Sequence, residues 1–262
     1  MKISKATIGL VKKAGLKPVF NLIMAFFYFG HQYKCIICGG TFRNFLPAGL
    51  DNEIAKSLIG GGRRRMTCPK CNSSDRERLI YFYIQNKTNI FSEQGKINLL
   101  HIAPEKNLRK FFQKRSNIKY IAGDLYPEKN DKKIDVTDLK EFKENFFDVI
   151  ICSHVLEHVP DDLKAMRKLY GVLSPGGFAI LQVPISKKLS KTYEDFSIVD
   201  PIEREMAFGQ RDHVRIYGKD YIDRLKSVGF KVIKYNIAKD LNRAEIEKYK
   251  LNPEEILFVC QK

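Results

Sequence analysis

The chain has 262 residues, 44% of them hydrophobic and 29% charged, a balance that supports a folded core without disulfides and excludes a disordered chain as the default. Its formal charge of +16 draws anionic partners, whether nucleic acid, anionic lipid or acidic glycan, without choosing among them.

Residues 1–34 carry Lys2, Lys5, Lys12, Lys13, Lys17 and Lys34 and no acidic residue, and they contain the apolar run 19–29. That run is about half the ~20 residues a membrane span requires, and no small-residue cleavage site follows it, so neither a span nor a secretory signal is expected. The leading expectation is a helix packed on the protein's own core. The competing one lays residues 1–30 in the plane of an anionic membrane.

Residues 35–75 form the next segment. Cys35 and Cys38, then Cys68 and Cys71, make two C-x-x-C pairs, each followed by a residue that tolerates positive φ, Gly39 or Asn72. Four thiolates with no open position describe a closed, structural Zn2+ site, a small zinc-ribbon-like module. A redox pair would be expected beside a βαβ unit, and these pairs precede the α/β region. Arg63, Arg64 and Arg65 add a basic cluster next to the glycine run 60–62. From Asp75, read as the N-cap, a helical pattern runs to Ile84. Cys152 and Cys260 stand alone in apolar runs, as buried small hydrophobes do. Cysteines so distributed fit a reducing, cytoplasmic setting, with peripheral membrane contact if residues 1–30 dock.

Beyond Gly95 short apolar runs alternate with amphipathic stretches. Strands are expected at 97–102, 119–122, 147–152, 178–183, 230–235 and 255–260, and helices at 105–114, 161–173 and 219–228. Continuous apolar strands separated by helices imply a parallel sheet covered on both faces, with an antiparallel hairpin allowed at the carboxyl-terminal edge. Asp124 and Asp135 stand too close for an ordinary parallel crossover, which leaves a turn or two of helix between them.

Four blocks in this region carry a resemblance: LLHIAPE at 99–105, AGDL at 122–125, IDVTDL at 134–139, and FDVIICSHVLEHV at 147–159 followed by LSPGGF at 173–178. In this order they resemble class I S-adenosylmethionine-dependent methyltransferases. The resemblance implies an α/β, Rossmann-like, mostly parallel seven-stranded sheet with helices on both faces. It divides the chain into a segment 1–34, a zinc-binding module 35–75 and a methyltransferase domain 76–262.

The resemblance also implies S-adenosyl-L-methionine as cofactor. Asp124, with Leu125, would accept the ribose hydroxyls, as acidic strand ends do in other nucleotide-binding folds. Asp135 with Val136 would hold the adenine. Ser153 and His154 would line the site at the carboxyl end of their strand, and His101, Ala103 and Glu105 would form the first loop. That loop departs from the family's acidic-x-Gly-x-Gly pattern: it has no glycine, and Pro104 removes an amide donor. The HIAPE variant, with the upstream CPKC and SDRERL and the downstream GQRDHVRIYG, is similar to a bacterial subgroup of methyltransferase-domain proteins over most of the chain.

Methyl transfer depends chiefly on positioning, and an oxygen or nitrogen acceptor also needs a base. His154 and His213 are the candidates, with Asp212 beside His213 as support. The expected acceptor is a small molecule or a glycan sugar. Two other classes compete. The zinc module and the positive charge also resemble ribosomal-RNA methyltransferases, although no Asn-Pro-Pro-Tyr-like block follows the fourth strand. A non-catalytic binding protein on the same fold is the third.

Overall fold

The apolar run folds into helix α1 (Lys17–Phe27) in the computed structural model, which describes residues 17–59, 61–92, 95–128 and 131–262. Lys2, Lys5, Lys12 and Lys13 lie outside the described residues, as does Gly60. Strand β1 (Phe29–Lys34) pairs antiparallel with β2 (Thr41–Phe42). Strand β3 (Leu46–Ala48) leads through helix α2 (Glu53–Ser57) to its antiparallel partner β4 (Arg64–Thr67).

A cysteine knuckle follows β1 and another follows β4. The amide after each second cysteine turns back to the first: Gly39 donates to the Cys35 carbonyl and Asn72 to that of Cys68, both at 2.9 Å. Gly39 has φ +69° and Asn72 +60°, the left-handed region expected at both positions. Helix α3 (Asp75–Lys87) follows. Its cap is Ser74 and not Asp75. Ser74 Oγ accepts from the Glu77 amide at 3.1 Å and Glu77 Oε2 from the Ser74 amide at 3.3 Å, a capping box. Asp75 is buried and paired with Arg64 at 2.5 Å.

The α/β pattern then unfolds in order: β5 (Ile97–Ile102), α4 (Lys106–Gln113), β6 (Ile118–Asp124), β7 (Lys132–Lys133), β8 (Phe147–Ser153), α5 (Asp162–Val172), β9 (Leu173–Gln182), β10 (Tyr193–Glu194), α6 (Pro201–Phe208), β11 (Arg215–Ile216), α7 (Tyr221–Ser227), β12 (Lys231–Asn236), α8 (Arg243–Lys248) and β13 (Ile256–Gln261). Among the described residues, seven of these strands make one sheet in the order β12-β13-β9-β8-β5-β6-β7. It is parallel except for β13, which runs antiparallel to both neighbours. The central strands β5 and β8 read as largely apolar runs because most residues along them are buried. The Asp124–Asp135 connection is stripped down, as its few residues imply. Its described residues hold no helix, and Gly123 and Asp124 pair directly with Lys132 and Lys133.

The chain divides into two compact units. One holds the described residues up to Ala48, with 64–83 and 237–255; the other holds 49–63, 84–236 and 256–262. These limits differ from the sequence boundaries at four places. Helix α1 belongs with the cysteines, 49–63 with the sheet, and both 76–83 and the insert between β12 and β13 with the cysteines. Named contacts explain the last three. The buried Arg78 guanidinium donates to the carbonyls of Met66 (2.9 Å), Ser73 (2.8 Å), Tyr249 (3.0 Å) and Lys250 (2.5 Å). The Asn52 side chain donates to the Gly209 carbonyl at 2.8 Å.

Candidate functional site

The four cysteines of the first unit converge, with their Sγ atoms all within 4.8 Å of one another. Cys35–Cys71 and Cys38–Cys68 are both 3.7 Å apart. A tetrahedron with metal–sulfur bonds of about 2.3 Å has edges of about 3.8 Å, so the sulfurs stand at ligand spacing and far outside disulfide distance. Ser73 Oγ lies 3.4 Å from the Cys35 sulfur and 3.2 Å from that of Cys71. Crowding sets the thiols against one another. Hydrogen bonds with Cys38, Cys68 and Cys71 pull Cys35 far below the usual thiol range, while those with Cys35, Cys38 and Cys71 push Cys68 far above it. A cation at the centre would relieve that conflict.

In the second unit the carboxyl ends of three parallel strands bring the expected cofactor residues to one sheet edge. Ile102 of β5 lies in register with Gly123 of β6 and with Cys152 of β8, so Ala103, Asp124 and Ser153 follow at the same level. Ala103 has φ +48° and donates to the Gly123 carbonyl at 2.8 Å. An alanine thus makes the left-handed turn that a glycine would make without strain. His101 is fully buried beneath the loop rather than in it. Its Nε2 lies 2.7 Å from Glu105 Oε2 and its Nδ1 3.1 Å from the Tyr120 hydroxyl. Burial works against ionising Glu105, but the His101 hydrogen bond and charge, together with backbone and hydroxyl donors, hold the carboxyl below its ordinary pKa. His101 therefore positions Glu105.

Asp124 ends β6, and its Oδ1 accepts from the Tyr126 amide at 2.9 Å. Leu125 and Tyr126 stand exposed beside it. The Asp135 carboxylate accepts from the Thr137 amide and hydroxyl, both at 2.8 Å, while Val136 turns into the core. Ser153 is buried at the end of β8.

The loop after β8 holds a cluster of titratable groups. His154, at φ +57°, places Nδ1 3.0 Å from Glu157 Oε1. Glu157 is buried, and its Oε2 has no protein partner. Burial alone would raise the Glu157 pKa; the His154 hydrogen bond and the neighbouring imidazoles hold it below its ordinary value instead. His213 is buried, which lowers its pKa, and its Nε2 accepts from the Gln210 side-chain amide at 2.7 Å. The support expected from Asp212 goes elsewhere. Its carboxylate is 3.3 Å from His158 Nδ1 and turned to solvent. His158 and His213 meet edge to face with centroids 4.6 Å apart. Glu157, His158 and His213 offer ligand atoms within 4.8 Å of one another, a two-histidine, one-carboxylate set of the kind that can hold a cation.

Glu157 escaped the sequence reading, which weighed only the histidines of LEHV. So did the scaffold beneath it. Arg215 is fully buried and donates to the carbonyls of Leu156 (2.9 Å), Val159 (2.5 Å) and Pro160 (2.7 Å) and to Glu194 (2.8 Å). The Tyr217 hydroxyl donates to Asp162 at 2.7 Å, and Arg224 pairs with the same carboxylate at 2.6 Å. The Arg-x-Tyr spacing in RIYG and the paired acids in VPDD were the available signal.

Residues 87–181 match the methyltransferase domain family. The chain is 34% identical over 113 residues to the ubiquinone/menaquinone biosynthesis C-methyltransferase UbiE of Escherichia coli O1:K1, covering 42% of each chain, with the same match to UbiE of Shigella boydii serotype 18. It thus spans less than half the length of these curated relatives. Among solved structures, a SAM-dependent methyltransferase from Archaeoglobus fulgidus aligns with TM-score 0.46 and 14% identity over 74% of this chain and 96% of that one. One from Mesorhizobium loti gives 0.46 and 14% over 73% and 100%. Residues 87–181 thus resemble a methyltransferase domain.

Proposed function

We propose that this protein transfers the methyl group of S-adenosylmethionine to a small-molecule or glycan acceptor. The observation that carries the reading is the row of groups at the carboxyl edge of the sheet: the left-handed turn at Ala103 beside Asp124 and the exposed Leu125. Asp124 would accept the two ribose hydroxyls and Leu125 would cover the adenine, with Asp135 taking its exocyclic amine. When bound, the cofactor supplies an electrophilic methyl on a sulfonium. His154, with Glu157 on Nδ1, presents Nε2 as proton acceptor, and the neutral His213 is the second candidate. Exposed Tyr193, Phe196, Val199, Ile202 and Met206, all between β9 and β11, supply an apolar wall and favour an acceptor with an apolar part. The likeness to UbiE supports a second reading, a carbon acceptor, which would need the same base. The cysteine site would take Zn2+ and hold its unit together. Six cysteines kept as thiols, four of them at ligand spacing, support a reducing, cytoplasmic setting.

Isothermal titration with S-adenosylhomocysteine tests the reading, with Asp124→Ala as the control. Wild type is expected to bind, and the variant to bind at least about tenfold more weakly, since hydrogen bonds to a charged group contribute roughly 1.5–3 kcal/mol. Absence of wild-type binding would overturn it in favour of a non-catalytic binding protein. Salt-sensitive RNA binding that enhances cofactor affinity would move the acceptor class to RNA.

A further inference from the structure

Helix α1 does not behave as a helix packed on its own core should. One side does pack. Met24 is buried, Ala25 and Tyr28 lie against the cysteine core, and Asn21 Oδ1 accepts from the Asn72 side chain at 2.9 Å. The other side carries Val19, Leu22, Ile23 and Phe26, at the i, i+3, i+4, i+7 spacing of a single helical stripe. These four are exposed at 53%, 69%, 45% and 78%, and Phe27 and Phe29 extend the surface at 48% and 61%. Isolated apolar residues on a surface are ordinary, but a contiguous stripe of this kind marks an interaction site.

Charge and length identify the occupant. Six lysines lie in residues 1–34, and no acidic residue occurs before Asp51. A second copy of the chain would bring the same positive charge to the same place and repel. A surface of anionic phospholipid would neutralise it while its acyl boundary took up the stripe. Among the described residues no helix is long and apolar enough to cross a membrane. At 11 residues α1 is about 16 Å long, roughly half the hydrocarbon thickness. It suits a position in the plane of the interface.

We infer that α1 is a docking helix for an anionic membrane, with Leu22 and Phe26 at the centre of the inserted stripe and the positive charge of the surrounding sequence supplying the attraction to anionic headgroups. The inference needs neither cofactor binding nor methyl transfer, so it fails or stands apart from the proposed reaction.

The test is flotation of the full chain with vesicles of phosphatidylcholine, with and without phosphatidylglycerol. Wild type is expected to float with the anionic vesicles and to be released at least severalfold from pure phosphatidylcholine. The exposed pair Leu22→Asp/Phe26→Asp is expected to lose at least tenfold of the bound protein while keeping its circular dichroism and cysteine-bound metal. The chain contains no tryptophan, so Phe26→Trp supplies a single reporter. Its emission should shift to the blue on anionic vesicles and be quenched by a lipid-phase quencher. Wild type left in the soluble fraction, a Phe26→Trp spectrum unmoved by vesicles, or undiminished flotation of the double variant would each overturn the inference. So would a dimer that the double variant splits without any lipid binding, which would assign the stripe to a second copy.

Discussion

Arg215 is a buried cation wholly enclosed by acceptors, three loop carbonyls and the Glu194 carboxylate. Those carbonyls belong to the loop that carries Glu157 and His158, so the guanidinium fixes the site from below. The sequence showed GQRDHVRIYG as a polar block near an acceptor site. In the structure His213, Arg215 and Tyr217 are all buried, and burial is what a lone sequence conceals when a charged residue is inward but fully partnered. Arg215→Met keeps most of the stem and strips every donor. Leaving three loop carbonyls without their donor, and the half-buried Glu194 with only its 3.4 Å pair to Arg224, should cost about 3–5 kcal/mol in urea denaturation. Arg211→Met is the control. Its pair with Glu205 has side-chain exposures of 68% and 43%, and its loss should change stability by no more than about 1 kcal/mol. Equal effects from the two would remove the scaffold role from Arg215.

At the level of elements, the strands and helices that bury continuous or periodic apolar residues were legible to within a few positions, because burial itself writes that pattern. What escaped were the short strands β1 to β4 and the helices α2 and α8, the two-residue strands β7, β10 and β11, and α6, whose outer side keeps Ile202 and Met206 exposed. Such elements are set by partners distant in sequence. The apolar stripe of α1 was legible as hydrophobic, but the sequence could not say that it faced outward. Strand β9 begins at Leu173 and runs through the Pro175-Gly176-Gly177 stretch that reads as a turn. The β6–β7 join offers a direct test of such long-range fixing. A Cβ added at Gly123 would meet Ile134 at 2.2 Å from Cδ1 and 2.6 Å from Cγ1. Gly123→Ala should therefore cost about 1–3 kcal/mol by overpacking, and weaken S-adenosylhomocysteine binding through the adjoining Asp124. Ile134→Val removes the nearest atom at a cost of about 0.5–1.5 kcal/mol on its own. The double variant should be more stable than the sum of the singles predicts, with a coupling of at least about 0.5 kcal/mol. Strict additivity would show that the strand pair relaxes without help.

For the whole molecule, chain order and structural membership part company at the insert 237–255, which interrupts the sheet sequence yet belongs to the cysteine unit. No local pattern announces this, because the tie is made by backbone carbonyls: Arg78 reaches those of Tyr249 and Lys250, and Lys250 Nζ lies 3.9 Å over the Tyr33 ring. The cluster around the knuckles comprises Cys35, Phe42, Phe45 and Cys68, with a few partly buried neighbours, while Leu79, Ile80, Ile246 and Leu251 are buried elsewhere in the unit. A cluster so small would draw on the binding free energy of the proposed metal, roughly 10–16 kcal/mol for a structural zinc site, to remain ordered. Stripping the proposed zinc from the full chain with a chelator should therefore release more than the two knuckles. Amide hydrogen exchange is expected to accelerate through β1 and through α8, although α8 carries no ligand, because Arg78 loses its place when Ser73 and the knuckles loosen. The amides of β5, β8 and β9 should keep their protection, since their core is built from residues such as Leu100, Phe147, Ile150 and Leu181 of the sheet itself. Readdition of zinc should restore protection at α8 together with the knuckles. Protection of α8 that persists through chelation would show that the insert is held by something other than the metal-organised unit.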